Sequence, residues 1–225
     1  RHLEYHYKES GELVNMERYK LKTLMYYLNF SNELFPVLDV TGGVEESRLE
    51  SSSLELHLDE LVSEVDEMMH TIHRTYGETS EVKDLDMTYL HLMGRHYIRT
   101  GEYEKGVRNI LSLVEIASEV RNLDYLLMGY KQMIYYDIQI GNTEEMRNYL
   151  ELALNVADEC NYHKEMGILL RLKGLNMIMQ GNFSEAERLL KESISTFMVT
   201  QSVQRRYALN IAGAYNYLGE IRRGM

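Results

Sequence analysis

Three strings decide the fold: GEYEKG at Gly101–Gly106, GNTEEM at Gly141–Met146 and GNFSEA at Gly181–Ala186. Their opening glycines fall 40 residues apart. Seven positions before each glycine stand Gly94, Ile134 and Gly174, and YNYLG at Tyr215–Gly219 resembles YLHLMG at Tyr89–Gly94. A recurrence at a fixed period of this size marks a repeat architecture.

Each unit reads as a helix pair. Leu90, Met93 and Tyr97, then Tyr103, Ile110 and Leu113 beyond the turn, fall at helical spacing and draw two apolar stripes. A short glycine turn folds the second stripe back on the first. Glycine inside a helix costs about 1 kcal/mol relative to alanine, so Gly94, Gly174 and Gly219 imply close backbone approach that offsets it. Gly106 and Ala186 are the small residues expected on the facing helix. One proline in 225 residues agrees with long helices and short turns.

The order of small residue, tyrosine, turn glycine, aromatic and small residue resembles the tetratricopeptide repeat. The likeness covers Leu90–Ala117 and Leu170–Phe197, is looser over Tyr130–Ala157 and partial over Tyr5–Leu28. It implies an all-α, right-handed superhelical solenoid of antiparallel helix pairs, about five pairs plus one terminal helix. Residues 1–225 are read as one such array and as a fragment of a larger protein. Within it, 1–38 hold the first pair and a short proline-limited helix, and 39–53 an acidic mobile loop. Residues 54–76 form a long amphipathic helix, and 84–225 the regular repeats. The stretches Tyr5–Leu38 and Tyr215–Arg223 also resemble the C-terminal helical arrays of large bacterial signalling ATPases and transcriptional regulators. That likeness implies a regulatory, ligand-sensing arm.

Composition narrows the chemistry. A net charge of −11 disfavours nucleic acid as a direct partner. No run of 18 apolar residues occurs, so no membrane span is expected. The single cysteine, Cys160, allows no intramolecular disulfide framework, and a cytoplasmic location is the expectation. The chain carries no glycine-rich phosphate loop, no G-x-S-x-G and no H-E-x-x-H, so neither an enzyme nor a cofactor is expected. Glu67, His70 and His73 share one helix, but a di-iron bundle needs a second such set on facing helices. No metal site is therefore assigned. The 18 tyrosines and 14 methionines fall largely on the stripes, as with Met93, Tyr97, Tyr103 and Met133, and are read as core.

In the tetratricopeptide fold the first helix of each pair lines the concave face. The resemblance places His91, Lys131, Arg171 and Asn216 there, with Arg95, Tyr135 and Glu220 beside them. Lysine and arginine in such a row suit a carboxylate or an acidic segment, through charge-assisted hydrogen bonds. Like charges on repeats ~10 Å apart repel by only about 0.4 kcal/mol in water, so the row is tolerable without a ligand. A protein or peptide segment, acidic where the row is the contact, is the expected partner.

Overall fold

A computed structural model describes residues 18–26 and 45–224. Among these the chain is all-helical, with ten helices packed in adjacent pairs and no strand. They are α1 (18–26), α2 (Glu45–Tyr76), α3 (Ser80–Arg99), α4 (Tyr103–Glu119) and α5 (Leu123–Ile140). There follow α6 (Thr143–Glu159), α7 (His163–Met179), α8 (Phe183–Phe197), α9 (Gln201–Arg206) and α10 (Ala208–Gly224). No helix among the described residues is long and apolar enough to cross a membrane. The chain divides into two compact units, Arg1–Ile116 and Ala117–Met225.

The turns follow a finer period than the glycines. Gly101, Arg121, Gly141, Asn161 and Gly181 all have positive φ, and they stand 20 residues apart. At each, the next residue's N–H donates back to the carbonyl five residues earlier: Glu102 to Tyr97, Asn122 to Ala117, Asn142 to Asp137, Tyr162 to Ala157 and Asn182 to Met177, at 2.8–2.9 Å. These are Schellman closures, which satisfy carbonyls left open at a helix end. Asn122, Asn142 and Asn182 then cap the following helix, each side chain accepting from the N–H three residues on. One turn therefore stops a helix, reverses the chain and starts the next helix.

In the first unit, Leu21, Met25, Val62, Val65, Met69, Ile72, Val82, Leu85, Leu92 and Met93 form the core. Polar ties run along its margin: Tyr89 donates to Asp66 at 2.7 Å, and His73 Nε2 lies 2.7 Å from Asp86. Helices α3 and α4 meet at the two expected glycines. A Cβ on Gly106 would fall 2.7 Å from Ile98 Cγ1 and 2.9 Å from the Ile98 nitrogen, so no side chain fits there.

The sequence reading makes 39–53 a loop, yet α2 already begins at Glu45. Serine at 51–53 costs roughly half a kcal/mol each relative to alanine, which does not stop a helix. Residues 39–44 lie outside the described residues, as do the proline-limited helix and most of the first pair. Tyr103, read as core, is 40% exposed because it starts α4 beside the turn.

The second unit is built on two apolar clusters. Leu127, Ile134, Met146, Leu150, Ala153, Ala157, Leu169 and Leu172 join α5, α6 and α7. Ala186, Leu190, Ile194, Ala214, Leu218 and Ile221 join α8 to α10. Buried polar groups stitch neighbours together: Asn176 donates to the Thr143 carbonyl at 2.9 Å, and Ser193 to the Gly167 carbonyl at 2.7 Å. Gly174 accepts Leu190 as expected, since a Cβ there would lie 2.9 Å from Leu190 Cγ. Gly219 does not follow suit: among the described residues nothing lies within 4 Å of its Cβ position. It stands 45 residues beyond Gly174 rather than 40, and the short helix α9 takes up the difference. After α9, Tyr207 stacks on buried Phe197, ring centroids 4.8 Å apart.

Candidate binding cleft

The N-terminal halves of α5 and α7 lie side by side in the second unit, and a cleft of about 500 Å³ opens over them. Its apolar surface is Leu127, Met128 and Tyr207, and its polar rim comprises Asp124, Lys131, Asn161, Tyr162, His163, Lys164 and Glu165. The local sequence explains who points in. Asp124, Met128 and Lys131 recur at three or four residues on α5, one face of a helix. The Asn161 turn aims Tyr162 and His163 across at them.

Two cross-helix pairs organise the rim. Lys131 Nζ donates to Glu165 Oε2 at 2.6 Å, with both side chains less than one-third exposed. Tyr162 Oη donates to Asp124 Oδ1 at 2.7 Å. That hydrogen bond, then the carboxylate's charge, pushes the Tyr162 phenol up to about 12, so it stays a neutral donor. Lys164 donates to the Thr196 carbonyl at 3.2 Å, at the C-terminal end of α8 where a cation is favoured. Tyr162 is the N-cap of α7 but gives it no side-chain hydrogen bond, and the His163 amide turns back to the Asn161 carbonyl at 3.0 Å.

The row inferred from the sequence is distributed as follows. His91 and Arg95 lie on α3 in the first unit; both are half-buried and already engaged. Lys131 lines the cleft, but Glu165 offsets its charge. Arg171 stands two turns beyond Lys164 on the same face of α7, with its Nη1 3.6 Å from the Cβ position of Gly213 on α10. Its Nε is buried without a hydrogen-bond partner, and among the described residues it makes no ion pair. Tyr135 is 43% exposed on α5, while Asn216 and Glu220 are exposed on α10.

Sequence reasoning missed Glu165, Tyr162, Asp124, Met128 and Tyr207. Glu165 and Tyr162 pair with residues 34 and 38 positions earlier, close to one repeat, so laying one repeat on the next was the available signal. It also missed Asp137. This carboxyl is 2% exposed, its Oδ2 has no hydrogen-bond partner, and burial first, then the charge of Glu145, pushes it up to about 6. Burial, then Asp137 and Glu145, also raises the Tyr149 phenol.

Among the described residues no group of three histidine, cysteine, aspartate or glutamate side chains is placed to hold a metal ion. His73, from the Glu67–His70–His73 helix, is bonded to Asp86 instead. Cys160 is half-buried at the end of α6. Compared with protein families, with curated proteins and with solved structures, the chain finds no match.

Proposed function

We propose that the chain is a tetratricopeptide-like scaffold, its helix pairs stacked as a right-handed solenoid, and that the cleft over α5 and α7 binds a peptide segment of another protein. The observation that carries this is the cleft itself: an apolar surface beside polar groups, at the same end of two consecutive first helices. A solenoid gives its concave side to extended ligands in this way. The 20-residue succession of left-handed turns supports the stacking.

A side chain of the ligand packs on Leu127, Met128 and Tyr207, while Tyr162, His163 and Lys131 supply hydrogen bonds at the rim. Glu165 already holds Lys131, so an acidic group of the peptide falls to Arg171, whose guanidinium suits a carboxylate bidentately. The volume also falls within the range of small-molecule pockets, roughly 300–1,000 Å³. A ligand-sensing arm of a cytoplasmic bacterial signalling ATPase or regulator is therefore the second reading.

Selection of a displayed random-peptide library on the full chain tests the proposal. Enrichment of a peptide family, with affinity reduced about tenfold or more by Met128→Asp and by Arg171→Glu, is the expected outcome. Met128 is 42% exposed, so its substitution leaves the core intact. A library that enriches nothing, beside a small metabolite that raises the melting temperature, favours the second reading and removes the first.

A further inference from the structure

The Gly141 turn carries a carboxyl where its counterparts carry none. Tyr97 in α3 and Met177 in α7 hold the place of Asp137 one repeat before and one repeat after it. Asp137 is 2% exposed, its Oδ2 has no hydrogen-bond partner, and among the described residues it makes no ion pair. Eight positions further along each repeat, where α4 brings Lys105 over the Tyr97 ring, α6 brings Glu145. Two groups of α6 therefore face Asp137. One is the Glu145 carboxylate, and among the described residues no cation acts beside it. The other is the Tyr149 phenol, which burial, then the Asp137 charge, raises and keeps neutral. Tyr130 of α5 lies against Tyr149, ring centroids 6.2 Å apart.

The same residue closes the turn. The Asp137 carbonyl accepts the Asn142 N–H at 2.9 Å, and the Asn142 side chain accepts the Glu145 N–H at 3.3 Å, capping α6. The Asn142 carbonyl accepts the Met146 N–H at 3.1 Å, and the Thr143 carbonyl accepts Asn176 of α7 at 2.9 Å. Asp137 lies in the last turn of α5, where the helix dipole disfavours a negative charge. A buried, unpaired carboxylate is costly there. Fraying one helix end to wet it costs less than unfolding the unit.

We infer that the Gly141 turn is a proton-operated latch, held shut while Asp137 is protonated and loosened when its ionised carboxylate draws water between α5 and α6. The closed latch keeps its proton up to about pH 6, and the open, hydrated one only to near pH 4. Opening is therefore favoured progressively as pH rises between those values, by about a hundredfold in all, and levels off above them. Acidification below about pH 6 tightens the turn. This response belongs to the fold and does not depend on the α5–α7 cleft binding a peptide.

Amide hydrogen exchange of the full chain, resolved by NMR and corrected for the intrinsic effect of pH, tests the latch. The Asn142 and Met146 amides should lose about a hundredfold of their protection between about pH 4 and about pH 7. The Asn182 amide is the internal control, because it donates to the Met177 carbonyl at 2.8 Å in the same kind of turn without a carboxyl. Its protection should change little. Asp137→Asn should abolish the loss at Asn142. Glu145→Gln should shrink it, since removing that charge lowers the pH at which Asp137 ionises. Level protection at Asn142 in the wild type, or a loss that persists in Asp137→Asn, overturns the inference. An equal loss at Asn182 also overturns it, by showing a response of the whole unit and not of this turn.

Discussion

Asp137 offers a titration that reads directly on stability. It occupies the position held by Tyr97 in α3 and Met177 in α7, and it is 2% exposed with no partner for Oδ2. Burial and the nearby Glu145 raise its carboxyl from 3.8 to about 6. The folded chain therefore keeps this proton up to about pH 6, whereas the unfolded chain loses it near pH 4. Between those values the folded state binds more protons, so stability contributed by this group falls as pH rises and then levels off. A shift of about two units corresponds to about 3 kcal/mol at full ionisation. Asp137→Asn cannot ionise and lacks that loss; its amide donors add an offset that does not depend on pH. Urea unfolding of both proteins from about pH 4 to about pH 8, followed by circular dichroism, gives the difference directly. The variant should gain about 2–3 kcal/mol on the wild type across that range. A flat difference, or a wild type that gains on the variant as pH rises, refutes the picture of an uncompensated buried carboxyl.

Other substitutions read the same packing. Gly106→Ala should destabilise by about 1–2 kcal/mol net, since its Cβ meets the Ile98 backbone at 2.9 Å and overpacking exceeds the gain in helix propensity. Gly219→Ala, with open space around it, should stabilise by up to about 1 kcal/mol in the same urea assay. Arg121→Gly should stabilise by about 0.5–1 kcal/mol by relieving a left-handed φ of 54, and Asn161→Gly by less because asparagine tolerates that region. A double-mutant cycle on Lys131 and Glu165, using Lys131→Met and Glu165→Gln, should give a coupling of about 0.5–1 kcal/mol that shrinks with salt.

What the sequence disclosed and what it hid have physical causes. Glycine is legible wherever it is obligatory: Gly101, Gly141 and Gly181 mark turns with positive φ, and Gly94, Gly106 and Gly174 mark close approach. The alternate turns at Arg121 and Asn161 use the same backbone without glycine, so a 20-residue structural period shows in the letters as 40. Met93, Ile110 and Leu113 are buried because a stripe at helical spacing has one place to go.

The cleft was less visible. Lys131 stands out in the sequence for its charge, but only packing reveals that Glu165, from the next first helix, offsets it. Arg171 differs in that no carboxylate among the described residues meets it. Tyr207 enters the cleft through an irregular insertion around α9, and irregular segments leave no period to read.

Hydrogen exchange on the full chain, with and without a peptide enriched from the library, tests the central claim most directly. The first amides of α7 have no side-chain cap, so they exchange quickly until a ligand covers them. Bound peptide should slow exchange at residues 161–168 and 124–131, and this slowing should vanish in Met128→Asp. Protection confined to other helices, or none at a saturating concentration of peptide, contradicts the assignment of the cleft.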